Sequence, residues 1–128
     1  MRTRIIRTII GILSALALFA VAATAATNVH RATLHGSQAF PAASGSAKFQ
    51  VDDGVRELEA QVEDVQRLRG TVLRFRVDGK LVGSATVNNL GTARIRRTGA
   101  IVPPVHTGST IGVRRASNNV LVASGRFN

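Results

Sequence analysis

Thr71-Val72-Leu73-Arg74-Phe75-Arg76-Val77-Asp78-Gly79-Lys80-Leu81-Val82-Gly83 is the stretch that decides the fold. Leu73, Phe75 and Val77 fall on one parity, and Arg74 and Arg76 on the other. Alternation with period two puts the apolar set on a core and the arginines in water, as in a half-buried strand. Asp78-Gly79 follows at once, and these residue types tolerate the positive φ that a two-residue hairpin turn requires. Lys80 to Val87 continues with Leu81, Gly83, Ala85 and Val87 on one side. Thr92 to Arg97 then presents Ala93 and Ile95 inward against Arg94 and Arg96. Three such segments in succession predict a meander.

Working outward, turn chemistry recurs at short intervals. It is found at Asp52-Asp53-Gly54, Asn88-Asn89-Leu90-Gly91, Pro103-Pro104 with Gly108, and Ser117-Asn118-Asn119. Thr110 to Arg114 and Val120 to Phe127 predict a last hairpin around Asn118-Asn119, and Ala32 to Leu34 a short first strand. Residues 54–70 allow two readings. Val55, Leu58, Val62, Val65 and Leu68 are spaced as on an amphipathic helix, whereas Leu58, Ala60 and Val62 alternate as on a strand. The Asp-Asp-Gly turn joining this segment to the alternating Ala47, Phe49 and Val51 favours the strand. A local repeat favours it too: Phe49-Gln50-Val51-Asp52-Asp53-Gly54 has the same logic as Phe75-Arg76-Val77-Asp78-Gly79. The expected fold is an all-β antiparallel sandwich or barrel built from hairpins, preceded by an N-terminal signal peptide helix.

The chain has 128 residues and a formal charge of +10, from 17 Lys and Arg against 7 Asp and Glu. That length holds one domain. Arg2, Arg4 and Arg7 precede an uncharged run from Thr8 to His30 whose centre, Ile9 to Ala23, is almost wholly apolar. Basic n-region, apolar h-region and small residues at Ala23-Thr24-Ala25-Ala26 are the layout of a secretory signal peptide cut after Ala25 or Ala26. The expected organisation is a signal peptide over 1–25, a flexible N-terminal segment with a short first strand over 26–46, and an antiparallel β domain over 47–128. The competing reading is an uncleaved membrane anchor, because the uncharged run is long enough to cross a bilayer core. Cleavage removes three basic residues and no acid, so the mature chain keeps 14 basic residues against 7 acids, a charge of +7. With no Cys, a secreted domain of this size relies on burial and backbone pairing, which fits a bacterial export product better than an animal extracellular module.

The search for chemistry gives little. His30 is expected in the N-terminal tail and His35 and His106 in loops, with no metal-site spacing among them. There is no nucleophile elbow, zinc-protease motif or phosphate-cradling loop, so no catalytic residue, metal ligand or cofactor is expected. An enzyme would require His35 or His106 to meet the acidic cluster in space. All seven acids lie between Asp52 and Asp78. Asp52, Asp53 and Asp78 are expected to serve turns. Glu57, Glu59 and Glu63 alternate with Gln61 as a solvated face or as cross-strand partners of arginines.

The basic residues carry the most information. Of the 14 in the mature chain, 12 are Arg. Arg74, Arg76, Arg94 and Arg96 are expected to project from the outer face of adjacent strands, with Arg97, Arg114 and Arg115 nearby. A planar guanidinium suits phosphate and carboxylate groups. Such a face would hold an anionic cell-envelope polymer or polysaccharide. The absence of Tyr and Trp argues against nucleic acid, which needs stacking platforms. The alternative is that Arg solubilises the sheet and guards its edges, the high Arg to Lys ratio reflecting codon composition.

Two resemblances add to this reading. Ala32-Thr33-Leu34-His35-Gly36-Ser37-Gln38 with Pro41, Gly45-Ser46-Ala47-Lys48-Phe49 and Arg56-Glu57-Leu58 resemble the start of CHRD-type domains, β-rich extracellular modules. Val77-Asp78-Gly79-Lys80-Leu81-Val82-Gly83, Asn89-Leu90-Gly91-Thr92-Ala93, Val102-Pro103-Pro104-Val105 with Gly108, and Ala123-Ser124-Gly125-Arg126-Phe127 are similar to small secreted β domains of actinobacteria and related bacteria. The second likeness implies a secreted β-sandwich-like domain and carries no catalytic residues. The expected function is therefore a non-enzymatic envelope or extracellular binding or structural module. The alternative is a membrane-anchored accessory domain whose N-terminal segment is the only part to touch a membrane.

Overall fold

The computed structural model describes residues 28–128. The expected signal peptide over 1–25, with its expected helix, and the membrane-anchor alternative lie outside the described residues. Eight strands follow one another: β1 (Val29–Gly36), β2 (Ser44–Asp52), β3 (Val55–Glu63), β4 (Val72–Val77), β5 (Lys80–Thr86), β6 (Ala93–Thr98), β7 (Thr110–Arg115) and β8 (Leu121–Arg126). All pairings are antiparallel, and the sheet order is β5-β4-β7-β8-β1-β2-β3-β6. The two end strands, β5 and β6, come side by side without a backbone ladder, so the sheet curls into a nearly closed barrel.

The alternation read from the sequence builds the interior. Leu34, Phe49, Leu58, Val62, Leu73, Phe75, Val77, Ile111, Val113 and Phe127 are buried inside. Two hairpins turn on Asp53-Gly54 and Asp78-Gly79, where both residues of each pair have positive φ: 49° and 76°, then 48° and 80°. Positive φ at both central positions is the twist-matched geometry for joining antiparallel strands, which explains the Asp-Gly choice. Residues 54–70 resolve as strand β3, with Leu58, Ala60 and Val62 inward. A short 3₁₀ turn at Gln66–Leu68 then buries Val65 and Leu68. Gly125 lets β8 close on β1, since a Cβ there would stand 2.2 Å from the Thr33 carbonyl oxygen.

Three expectations are corrected. Strand β1 is longer than Ala32–Leu34, running from Val29 to Gly36. The segment over 80–87 does not keep one parity: the β4–β5 register shifts after Phe75, so Gly83 opposes Phe75 while Leu81 opposes Arg76. Val82 is the extra residue of this bulge and is buried, whereas Leu81 is 48% exposed. The meander is the third correction, because β6 pairs with β3 rather than with β5. Side-chain chemistry accounts for that choice: Glu59 and Gln61 of β3 stand opposite Arg96 and Arg94 of β6. Opposite charges across a strand pair stabilise it, as Glu59 does for Arg96, whereas β5 carries no acidic residue.

Candidate functional site: a basic patch on the outer sheet face

The register divides the arginines into two unlike groups. On β6, Arg94 Nη2 donates to Gln61 Oε1 at 2.8 Å. Arg96 lies 3.3 Å from Glu57 and 3.4 Å from Glu59. Glu57 and Glu59 of β3 are therefore cross-strand partners of Arg96, and Arg94 is committed to the neutral Gln61. Arg97 has the inward parity, opposite Leu58, but sits at the sheet margin. Its guanidinium reaches over the seam to β5, where a Cβ on Gly83 would stand 3.1 Å from Nε. Gly83 thus makes room for the group that bridges the open seam.

On the other side of the barrel, Arg74 of β4 stands directly opposite Arg114 of β7, and Arg76 opposite Gly112. Gly112 in turn opposes Ser124 of β8, and Thr110 opposes Arg126. Gly112 is consequently ringed by Arg74, Arg76, Arg114 and Arg126. A Cβ at Gly112 would meet nothing within 4 Å, and its φ lies outside the left-handed region, so neither crowding nor backbone geometry demands glycine there. A bare stretch of backbone in a strand marks a place where another group can approach closely. Arg114 Nη1 donates to the Asn119 carbonyl at 2.9 Å, which ties that side chain to the β7–β8 turn. No carboxylate lies within ion-pair distance of these four arginines, as both ion pairs among the described residues belong to Arg96. The nearest acid on this strand pair is Asp78, whose Oδ1 accepts the Thr110 backbone N–H at 2.9 Å.

The seven expected site residues are therefore not one surface. Arg74, Arg76 and Arg114 come together; Arg94 and Arg96 lie across the seam with β3, and Arg97 spans it. Arg115 has the opposite parity to Arg114, faces Leu73 across β4–β7 and is half-buried, with its Nε lacking a hydrogen-bond partner. Sequence reading missed Arg126 and Gly112. Arg126 was within reach of the alternation rule, since Phe127 points inward and its neighbour must point out. Gly112 was not, because its importance depends on which strands flank β7.

The histidines are also placed. His30 lies on β1 rather than in a tail, with Nδ1 2.6 Å from the Asn128 backbone oxygen. His35 is on the outer face of β1, not in a loop, and stands between Ser44 of β2 and Ser124 of β8. His106 lies in the loop between β6 and β7. Among the described residues, no histidine comes within 4.0 Å of an Asp or Glu carboxylate. No three His, Asp or Glu side chains there form a group that could hold a metal. No protein-family model matches the chain, and no curated protein matches it.

Proposed function

We propose that this protein is an exported, non-enzymatic binding module that docks on an anionic polymer of the cell envelope through the patch centred on Gly112. The observation that carries the reading is the pair Arg74 and Arg114, like charges placed face to face with no counter-charge. Two unit charges about 6 Å apart in water repel by about 0.5–1 kcal/mol, a standing cost to the fold. A polyanion laid along β4, β7 and β8 removes that cost and gains bidentate hydrogen bonds from the guanidinium groups. The open backbone at Gly112 gives its phosphate, sulfate or carboxylate groups a close approach. Export is supported by the signal-peptide layout of residues 1–25 and by the resemblance to small secreted β domains.

Retention of the protein on immobilised wall phosphopolymer or heparin tests the binding. It should be strong at low salt and fall steeply between about 0.05 and 0.5 M NaCl as the charges are screened. Salt-insensitive retention, or none, would refute the polyanion reading. The intact mass of protein recovered from the medium tests export. A mass lacking Met1 to Ala25 or Ala26 is expected, and a mass that includes them would overturn cleavage.

A further inference from the structure

The barrel end beside the β2–β3 hairpin holds a second feature, independent of the basic patch. A cleft of about 350 Å³ opens there, lined by His30, Phe49, Val51, Arg56, Val105 and His106. Its base is apolar: Phe49 and Val105 are buried, and Val51 packs against the core. The His30 ring tilts 43° to Phe49, with centroids 6.2 Å apart. Arg56 is half-buried at this end, across from Val51 in the β2–β3 ladder. Its Nε donates to the Val102 carbonyl at 2.5 Å, which fixes the guanidinium plane. Its terminal nitrogens have no hydrogen-bond partner among the described residues, and no carboxylate lies within ion-pair distance. Asp52 and Asp53 belong to the adjacent hairpin but do not line the cleft.

A half-buried, oriented cation without a counter-charge, set over an apolar base, is complementary to an anion with an apolar body. Ligand pockets generally run from about 300 to 1,000 Å³, so this cleft suits a small molecule. One guanidinium matches one negative charge, and its free edge matches the two oxygens of a carboxylate. We propose that the cleft binds a small monocarboxylate with an aryl or branched alkyl body, the carboxylate on Arg56 and the body on Phe49, Val51 and Val105. His106, exposed at the rim, closes the outer side.

The test is an NMR titration of the full chain with benzoate, benzamide and phenyl phosphate, following the His30, Phe49 and His106 resonances. Saturable shifts of all three with benzoate are expected, with benzamide at least about tenfold weaker because it lacks the charge. Arg56→Gln should weaken benzoate about tenfold, while Arg56→Lys should fall between, keeping the charge but losing the fork. Arg74→Ser/Arg114→Ser should leave the titration unchanged while lowering to about half the salt concentration that elutes the protein from the polymer, which separates this site from the basic patch. Equal binding of benzoate and benzamide, tighter binding of phenyl phosphate, or shifts confined to other residues would each overturn the proposal. If Arg56→Gln does not fold, the ligand comparison on the unsubstituted chain decides alone.

Discussion

Strand pairs β3–β6 and β4–β7 both carry arginines on their outer faces, and they treat them in opposite ways. On β3–β6 the cations meet acceptors: Arg96 has Glu57 and Glu59, and Arg94 has Gln61. Lys48 of the next strand likewise faces Glu59. On β4–β7 the cation Arg74 meets the cation Arg114, with Arg76 and Arg126 close by and a glycine in the middle. The first arrangement serves the sheet, because opposite charges across strands stabilise pairing and fix the neighbour of β3. The second works against the sheet, so its charges are available to something outside it. Net charge alone hides this difference, since the seven acids lie on only part of the surface.

The harshest way to break the contrast removes the floor beneath one face. Phe75 is fully buried between Arg74 and Arg76 on β4. Phe75→Ala should cost about 3–5 kcal/mol in a urea unfolding titration, because it leaves a cavity under the basic patch. A loss below 1 kcal/mol would mean that β4 does not anchor the patch to the core. Next in size, Arg74→Glu turns the like-charge pair into an opposite-charge pair of the β3–β6 kind. It should abolish polymer retention while raising stability by about 0.2–1 kcal/mol, read from the same titration. A destabilised protein, or one still retained, would contradict the assigned roles of Arg74 and Arg114.

Much of the barrel was legible from alternation and turn chemistry. Leu73, Phe75 and Val77 announce an inward row, and Asp53-Gly54 and Asp78-Gly79 announce hairpins, because both signals are local. The ambiguous segment over 54–70 was decided by its Asp-Asp-Gly turn rather than by periodicity, which fits a strand and a helix equally. What stayed hidden was non-local. The pairing of β6 with β3 depends on residues about 35 positions apart in sequence, and a bulge at Val82 reverses parity in a way that no period-two rule contains. The candidate site suffered accordingly. Arg74, Arg76 and Arg114 could be named, but Arg94 and Arg96 could not be set aside before Gln61 and Glu59 were known to face them. Gly112 carried no signal at all until β4 and β8 were found on its two sides.

A gentler change sharpens the comparison from the other side. Glu57→Gln/Glu59→Gln removes both counter-charges of Arg96 and leaves Arg94 on the neutral Gln61. Because Arg96 is largely exposed, the loss of stability should stay below about 1 kcal/mol. Retention on anionic polymer should rise about two- to threefold, as a second uncompensated basic face appears. Unchanged retention would show that loose charge is insufficient and that the geometry around Gly112 matters. Smallest of all, Asp78→Asn keeps a residue that tolerates positive φ and an oxygen for the Thr110 N–H. It should alter stability by less than about 0.5 kcal/mol and leave the hairpin intact.

One paired experiment separates patch from bulk charge. Arg74→Ser/Arg114→Ser and Arg94→Ser/Arg96→Ser each remove two positive charges, so any effect of net charge is the same in both. The salt concentration that elutes each variant from immobilised wall phosphopolymer is then compared with that of the unsubstituted protein. The expected result is a fall to about half for the Arg74/Arg114 variant and little change for the Arg94/Arg96 variant. Equal falls, or a larger fall for Arg94/Arg96, would contradict the assignment of the β4–β7–β8 face as the binding surface.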